Sequence, residues 1–173
     1  MSLVEKLQAI EFLGREFATW LYWRSETGNG QIRLEGIEPF EAWFESPVEL
    51  VNDFGEATSV VLKGSTPLES PEARQALLEN KKIQRAHLRL NLRNQTYSFA
   101  FHAGRFAISG LRLPIPPNVP PTDIVVLRLE LIDEFERFFE SLFRVFLRLR
   151  MDDAKWKVER KKLASWIASF DEA

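Results

Sequence analysis

The feature that most constrains the fold is a strictly alternating segment in the middle of the chain. Basic or polar side chains occupy every second position, and alanine or leucine occupies the positions between them. A period of two with one polar face is typical of a half-buried β-strand. We therefore expect a strand over Ile83–Arg93. Its polar side carries Arg85, His87, Arg89, Asn91 and Arg93, and its buried side carries Ala86, Leu88, Leu90 and Leu92.

Two further strands are predicted directly after this segment. Thr96–His102 alternates in the same way, and a tight turn near Asn94-Gln95 predicts an antiparallel hairpin with the preceding strand. A third strand is expected over Phe106–Leu113, where Gly110 shifts the alternation and indicates a β-bulge. The side chains expected to share the buried face with the leucines are Tyr97, Phe99 and Phe101.

The first half of the chain predicts a helix followed by short strands. A helix over Leu3–Glu26 is indicated by apolar residues three or four positions apart, and Gly28-Asn29-Gly30 ends it. Gly14 inside this helix indicates a closely packed neighbour, because glycine costs about 1 kcal/mol relative to alanine there. The apolar positions are Leu3, Leu7, Ile10, Phe17, Trp20 and Leu21, and the strands are expected at Gln31–Leu34, Pro39–Phe44, Val48–Val51 and Thr58–Lys63.

Three more helices are predicted. Ser70 as N-cap and Pro71 at the first helical position begin a helix that reaches about Asn80. After a proline-rich connector over 114–121, Thr122 is expected to cap a helix of about 28 residues, although Val125 to Leu131 also alternates and the first turns fit a strand as well. A last helix is expected from about Asp153 to Phe170.

This order of elements predicts the α+β class, with an antiparallel sheet, helices packed on one face and two helices at the C-terminus. We expect one domain over 1–173, in which 1–113 forms the first helix and the sheet region and 122–173 forms a helical hairpin. The length is compatible with one sizeable core.

Composition excludes several classes of chemistry. The chain has no cysteine, so disulfides, thiolate catalysis and zinc–sulfur sites are excluded, and a reducing cytoplasm is the expected location. No apolar run has the roughly 18 residues that a membrane span needs, so no membrane association is expected.

The net charge of −2 is unevenly distributed along the chain, because 1–58 carry a net −7 and 59–173 a net +5. Such asymmetry indicates a face for a polyanion or head-to-tail self-association, and it is also ordinary for solvated surfaces.

No pattern of residues indicates catalysis or a cofactor. The two histidines, His87 and His102, come without a carboxylate motif that would complete a metal site. Gly28-Asn29-Gly30 lacks the lysine and the strand-to-helix context of a phosphate loop. The acid pairs, Asp152-Asp153 and Glu45 with Glu49, are interpreted as a helix cap and a solvated face. We therefore predict no catalytic residue, no metal and no cofactor.

Two basic clusters are the best functional indication. The first is the polar side of the alternating strand with Lys82, and the second spans the joint of the last two helices. On one side of the molecule they would form a track for a phosphate backbone. The alternative is that exposed arginines discourage edge-to-edge aggregation or pair with acids on a neighbouring strand. The candidate DNA-binding residues are Lys82, Arg85, Arg89, Arg93, Arg148, Lys157, Lys161 and Lys162. Aromatic residues at the end of the first helix fit either base stacking or the core, namely Trp20, Tyr22 and Trp23.

Residues 12–113 resemble the C-terminal half of the recombination-associated protein RdgC family. The resemblance rests on the segment around Thr19-Trp20 and on PEARQALLENKKIQRAHLRLNLRNQTYSFAF followed by ISGLRL, in which helix, lysine-containing turn, strand and hairpin follow in the same order. It implies non-catalytic, sequence-independent DNA binding by a ring-shaped dimer, and it carries over only Lys82 and the strand that this residue opens. The chain lacks the family's N-terminal half and has an acidic first third, which puts a closed ring in doubt.

The expected function is sequence-independent DNA binding in the cytoplasm, associated with the nucleoid, by a protein that can form a homodimer. The alternative is a protein–protein interaction or scaffold domain that does not bind DNA, and a nuclease is the third class that the sequence leaves open.

Overall fold

The structure is a computed structural model that describes residues 2–52 and 58–170. Its helices are α1 (Leu3–Thr27), α2 (Pro71–Leu78), α3 (Ile124–Met151) and α4 (Asp153–Ala168). Its strands are β1 (Gln31–Ile32), β2 (Phe40–Val51), β3 (Ser59–Leu62), β4 (Lys82–Leu92), β5 (Gln95–His102) and β6 (Ala107–Arg112). Short 3-10 turns occupy Pro67–Glu69 and Ala103–Arg105.

All strand pairs are antiparallel and form one sheet in the order β1-β2-β4-β5-β6. β3 pairs with the far half of β2, on the same edge that β1 pairs with at its start. Together with four helices, two of them C-terminal, this sheet confirms the predicted α+β class.

The helices cover one face of the sheet. The ring of Phe17 in α1 lies 5.9 Å from Phe101 of β5 and 5.4 Å from Phe146 of α3. α3 also contributes Phe135, whose ring lies 5.0 Å from Phe99. Edge-to-face and tilted packing of this kind is favourable for aromatic rings at these separations. The core therefore lies between β4–β5 and the two helices α1 and α3.

The hairpin of β4 and β5 has the predicted alternation. Leu88 faces Phe99 and Leu90 faces Tyr97, and all four side chains are buried, as are Ala86 and Phe101. The turn lies one residue earlier than expected, at Arg93-Asn94, where both residues have positive φ (50° and 65°). A two-residue turn with positive φ at both positions has a backbone twist that matches the right-handed twist of the flanking strands.

Two glycines behave as the sequence indicated. A Cβ on Gly14 would lie 1.9 Å from the carbonyl oxygen of Ala103, so α1 touches the turn after β5 at this point. Gly110 has a φ of +62°, and the register between β5 and β6 shifts beside it, between Ser98 and Ala100. The glycine therefore accommodates the predicted bulge in the edge strand.

The strand prediction before α2 was wrong in one respect. The segments around Pro39–Phe44 and Val48–Val51 form a single strand, β2, of 12 residues. Pro47, which suggested an interruption, follows a cis peptide bond and lies at the register shift between Glu45 and Val48. A proline is accommodated in a strand where the hydrogen-bonding ladder is already irregular.

Two helix caps are confirmed, and two other helix predictions need small corrections. Ser70 and Asp152 act as N-caps of α2 and α4, as expected, by accepting hydrogen bonds from Ala73 and Lys155. α3 has 28 residues and is helical from its first turn, but its N-cap is Asp123 rather than Thr122. Ile10 is 46 % exposed and does not face the core, and the side chains of Leu3 and Leu7 lie outside the described part.

The two C-terminal helices pack on other helices as well as on each other. Near their joint, Phe146 and Trp156 have ring centroids 5.8 Å apart. Further along α4, Trp166 lies 5.7 Å from Tyr22 of α1, and Arg74 of α2 stacks over Phe170. The predicted 122–173 hairpin is thus a bent pair whose second helix crosses α1.

Candidate nucleic-acid interface

The polar side of β4 lies on the face of the sheet that no helix covers. Arg85 and Arg89 are exposed, while their neighbours Ala86, Leu88 and Leu90 are buried against α1 and α3. This placement follows from the alternation of the strand, because one residue of slippage would bury the arginines. The first expectation, that these two arginines reach solvent, is confirmed.

The same face carries a row of glutamates on β2. In the register of β2 and β4, Glu49 is opposite Arg85, and Glu45 lies beside Arg89 with Oε1 at 3.3 Å from its Nε. Glu41 accepts a hydrogen bond of 3.1 Å from Asn91. The basic row on β4 is therefore matched by an acidic row on its neighbour, and little net positive charge remains for a polyanion.

Sequence reasoning missed this acidic row. Glu41 and Glu45 are four residues apart and Glu49 follows after another four, which in a strand places side chains on one face. The pattern was hidden because β2 was expected to be two strands. Glu45, which was interpreted as part of a solvated face, forms an ion pair with Arg89, and Glu49 lies opposite Arg85 in the register of the two strands.

Arg93 does not continue the basic row. It lies in the hairpin turn, and its Nε and Nη2 donate to the two carboxylate oxygens of Glu38 at 2.6 and 2.8 Å. This bidentate hydrogen bond holds the pKa of Glu38 below its ordinary value and raises the pKa of Arg93. Grouping Arg93 with Arg85 and Arg89 was therefore wrong, because the turn directs it to the loop before β2 and to α3.

Lys82, the residue carried over from the family resemblance, is half-buried at the start of β4. Its Nζ lies 4.4 Å from the ring centroid of Phe12 in α1, which is a cation–π contact. This contact joins β4 to α1, so Lys82 has a structural role at the start of the strand.

The two histidines meet on the open face of the sheet. Arg85 pairs with His102 and His87 pairs with Ala100, so the two rings are diagonal neighbours. His102 Nε2 lies 3.0 Å from the Ser109 hydroxyl. Partial burial lowers the pKa of His102, and nearby Arg85, Arg105 and His87 lower it further. Within 2–52 and 58–170, no group of three or more His, Asp or Glu residues is arranged to hold a metal ion.

The second basic cluster lies on α4. One side of this helix packs inward through Trp156 and Glu159, whose carboxylate accepts a 3.3 Å hydrogen bond from the indole of Trp20. The remaining surface of the helix is exposed, and it carries Lys157, Arg160 and Lys161 on one face with Lys162 on its flank. Within the described ranges, none of these four has a carboxylate within 4.0 Å. We call these four residues the α4 basic face.

The two basic clusters lie on opposite sides of the sheet. α1 packs on the covered side of β4, where Thr19 Oγ1 accepts a hydrogen bond from the backbone of Ile83. α4 packs on the outside of α1, through Trp20 and Tyr22. A single straight phosphate track that joins Arg85 and Arg89 to the α4 basic face would have to pass around the edge of the molecule. Arg148 is exposed in the last turn of α3, a few residues before α4.

The aromatic group at the end of α1 belongs to the core. Trp20 is fully buried, Tyr22 is 2 % exposed and Trp23 is 4 % exposed. None of the three rings presents a face to solvent on which a base could stack.

Comparison with protein-family models, with curated proteins and with solved structures gives no match. The described part of the chain includes no helix that is both long and apolar enough to cross a lipid bilayer.

Proposed function

We propose that this protein binds DNA without sequence preference and without catalysing a reaction on it, and that the α4 basic face with Arg148 makes the contact. The observation that carries the proposal is four exposed cations within six residues of α4, none of which has a carboxylate partner in the described part of the chain. By contrast, the arginines of β4 have acidic neighbours, because Arg89 is 3.3 Å from Glu45 and Arg85 lies opposite Glu49 in the strand register.

The charge spacing suits a nucleic-acid backbone. Residues 157–162 span about 7.5 Å of helix axis at 1.5 Å per residue. Duplex DNA carries about one negative charge per 1.7 Å of its axis, or about four charges over that length. Lys157, Arg160 and Lys161 share one helical face at spacings of three and four residues, and Lys162 flanks it. These flexible side chains can therefore contact successive phosphates, and such contacts hold the protein on DNA without specifying sequence.

The resemblance to the RdgC family supports DNA as the partner but not this surface, because it covers 12–113 and α4 follows it. Charge and exposure alone support the α4 basic face as the contact surface. The proposed site is consequently Arg148, Lys157, Arg160, Lys161 and Lys162, and the residues of β4 and its turn are left out.

Fluorescence anisotropy with a generic duplex and a generic single strand, at several salt concentrations, tests the proposal. Replacing Lys157, Lys161 and Lys162 by alanine should weaken binding equally for unrelated sequences. The salt slope on duplex should fall by up to about 2.7, because each phosphate contact contributes about 0.9. Exposed lysines contribute little to folding, so the thermal midpoint should stay within error.

The matched control replaces Arg85 and Arg89 by alanine, which removes exposed cations that already have acidic neighbours. We expect this variant to bind DNA almost as the parent does. Loss of binding in the control with retention in the α4 variant would move the site to the sheet. Absence of salt-dependent binding by the parent protein at low ionic strength would rule out the DNA proposal.

A second candidate, a protein-interaction domain, is favoured by the start of α3. Val125, Val126 and Leu129 are each about 60 % exposed, and adjacent exposed apolar side chains are a common property of protein-binding surfaces. Val126→Glu with Leu129→Glu should abolish association with a protein partner, or self-association, and leave DNA binding unchanged. This pair of outcomes separates the two candidates.

A further inference from the structure

A cavity of about 330 Å³ lies at the hairpin end of the molecule, away from α4. Its walls are the loop before β2, the turn between β4 and β5, and the middle of α3. Phe40 and Phe138 meet edge to face at 5.0 Å in its wall. The apolar lining consists of Ile37, Pro39, Phe40, Leu92 and Phe138. Its volume is within the range of about 300–1,000 Å³ that is usual for small-molecule sites.

The carboxylates at the rim already accept hydrogen bonds from the protein. Both oxygens of Glu38 accept from Arg93, at 2.6 and 2.8 Å. Glu134 is 3.3 Å from the hydroxyl of Tyr97 and 3.8 Å from Nη1 of Arg93. Glu38 is therefore fully engaged and Glu134 is engaged through one oxygen, so a ligand that only donates hydrogen bonds finds few free acceptors here.

Donors at the other end of the rim are only partly engaged. Arg137 uses its Nε to donate to Asp133 at 3.0 Å, and its two terminal nitrogens make no hydrogen bond within the described ranges. The hydroxyl of Ser141 likewise has no partner among those residues. Arg137 and Ser141 are four residues apart on α3, so their side chains lie on the same side of the helix.

We propose that this cavity binds a small organic anion, with an apolar body against Phe40 and Phe138 and a carboxylate held by Arg137 and Ser141. The anionic group lies at the Ser141 end. Glu134 is seven residues before Ser141, which is about 10 Å along the helix axis, and repulsion disfavours a carboxylate at the Glu134 end.

Arg93 has a positioning role in this arrangement. It adopts a φ of 50°, a conformation that favours glycine or asparagine, at the first position of the hairpin turn. From there its guanidinium joins Glu38 of the loop to Glu134 of α3 across the mouth of the cavity. The side chain fixes the distance between these walls and neutralises Glu38, which would otherwise repel an anion.

The test uses hexanoate, hexanol and hexylamine, which share an apolar body and differ in the head group. Amide chemical shifts of Phe40, Leu92 and Phe138 in the whole protein should move and saturate with hexanoate. Hexanol should bind about tenfold more weakly and hexylamine weaker still, because hydrogen bonds to a charged group add substantially to affinity.

Two variants separate the site from general surface charge. Arg137→Gln should weaken hexanoate about tenfold and leave hexanol unchanged. Arg144→Gln is the matched control, because Arg144 donates to Glu140 with the same four-residue spacing one heptad further along α3. Ser141→Phe should fill the mouth and remove binding of all three probes without lowering the thermal midpoint, since Ser141 is exposed.

Equal affinity for hexanoate and hexanol, an Arg144→Gln effect as large as that of Arg137→Gln, or no saturable shift at the lining residues would each overturn the proposal. These measurements contain no DNA, so their outcome is independent of the DNA-binding proposal.

Discussion

Gly14→Ala is the substitution for which the structure makes the sharpest prediction about stability. The added Cβ would lie 1.9 Å from the carbonyl oxygen of Ala103, whereas an ordinary contact of these atoms is at least 3.4 Å. The obstacle is backbone, which cannot rotate aside as the end of a flexible side chain can. α1 and the turn after β5 must therefore separate by more than 1 Å, in a region where Phe17 and Phe101 pack tightly.

The expected loss of stability is the difference of two effects. Overpacking a closely packed contact costs about 1–3 kcal/mol, and a rigid backbone contact is at the upper end of that range. Replacing glycine by alanine inside a helix contributes about 1 kcal/mol in the opposite direction. The net decrease in the free energy of unfolding should be about 2 kcal/mol. For a chain of this size, that lowers the thermal midpoint by roughly 4–8 °C.

Urea denaturation followed by far-ultraviolet circular dichroism measures this change. Ala9→Gly is the control for helix propensity, because Ala9 is exposed in the same helix and should lose about 1 kcal/mol through propensity alone. Gly14→Val should be less stable than Gly14→Ala. A Gly14→Ala protein that is more stable than the parent would show that α1 does not approach Ala103 closely, and the packing argument would fail.

Two further predictions concern chemistry. If the proposed DNA binding is non-catalytic, purified protein should not degrade DNA with magnesium or manganese present; digestion that a chelator stops and that survives repeated purification would contradict this. Arg85→Ala should raise the pKa of His102 towards its ordinary value, which NMR titration of the ring proton measures; an unchanged pKa would mean that Arg85 does not contribute to the lowering. Because the folded-state pKa of His102 is lowered, its contribution to stability is complete above the ordinary pKa of about 6.5 and is lost as the pH falls through the folded-state value.

The local parts of the fold could be predicted from the sequence, because they depend on periodicity over a few residues. Leu88 and Tyr97 are buried and Arg85 is exposed because successive side chains of a strand point to opposite faces of the sheet. Ser70 caps α2 as its residue type and the following proline predict. Gly14 and Gly110 also signalled the close approach and the bulge that are found at them.

The non-local parts could not be predicted. Glu45 and Arg89 are 44 residues apart in sequence, and only the register of β2 on β4 shows that they neutralise each other. Pro47 led to the prediction of two separate strands, because proline usually interrupts a strand. In the structure the strand continues through an irregularity in its register at this point. The positions of Arg85 and Lys161 on opposite sides of the sheet depend on how α4 crosses α1, and no local pattern encodes that crossing.

The central turns of α1 are enclosed on every side, by the sheet on one face and by α3 and α4 on the others. Four successive residues that point in all directions around the helix axis are each at most 5 % exposed, namely Phe17, Ala18, Thr19 and Trp20. The proline-rich connector over 114–121 resembles a boundary between modules, yet a chain that stopped there would open this aromatic layer to water. A fragment of residues 1–113 is therefore expected to aggregate, and a monomeric fragment with cooperative unfolding would contradict this. For the same reason, α3 and α4 cannot easily be replaced by another structural unit during evolution, because any replacement has to bury the outer side of α1.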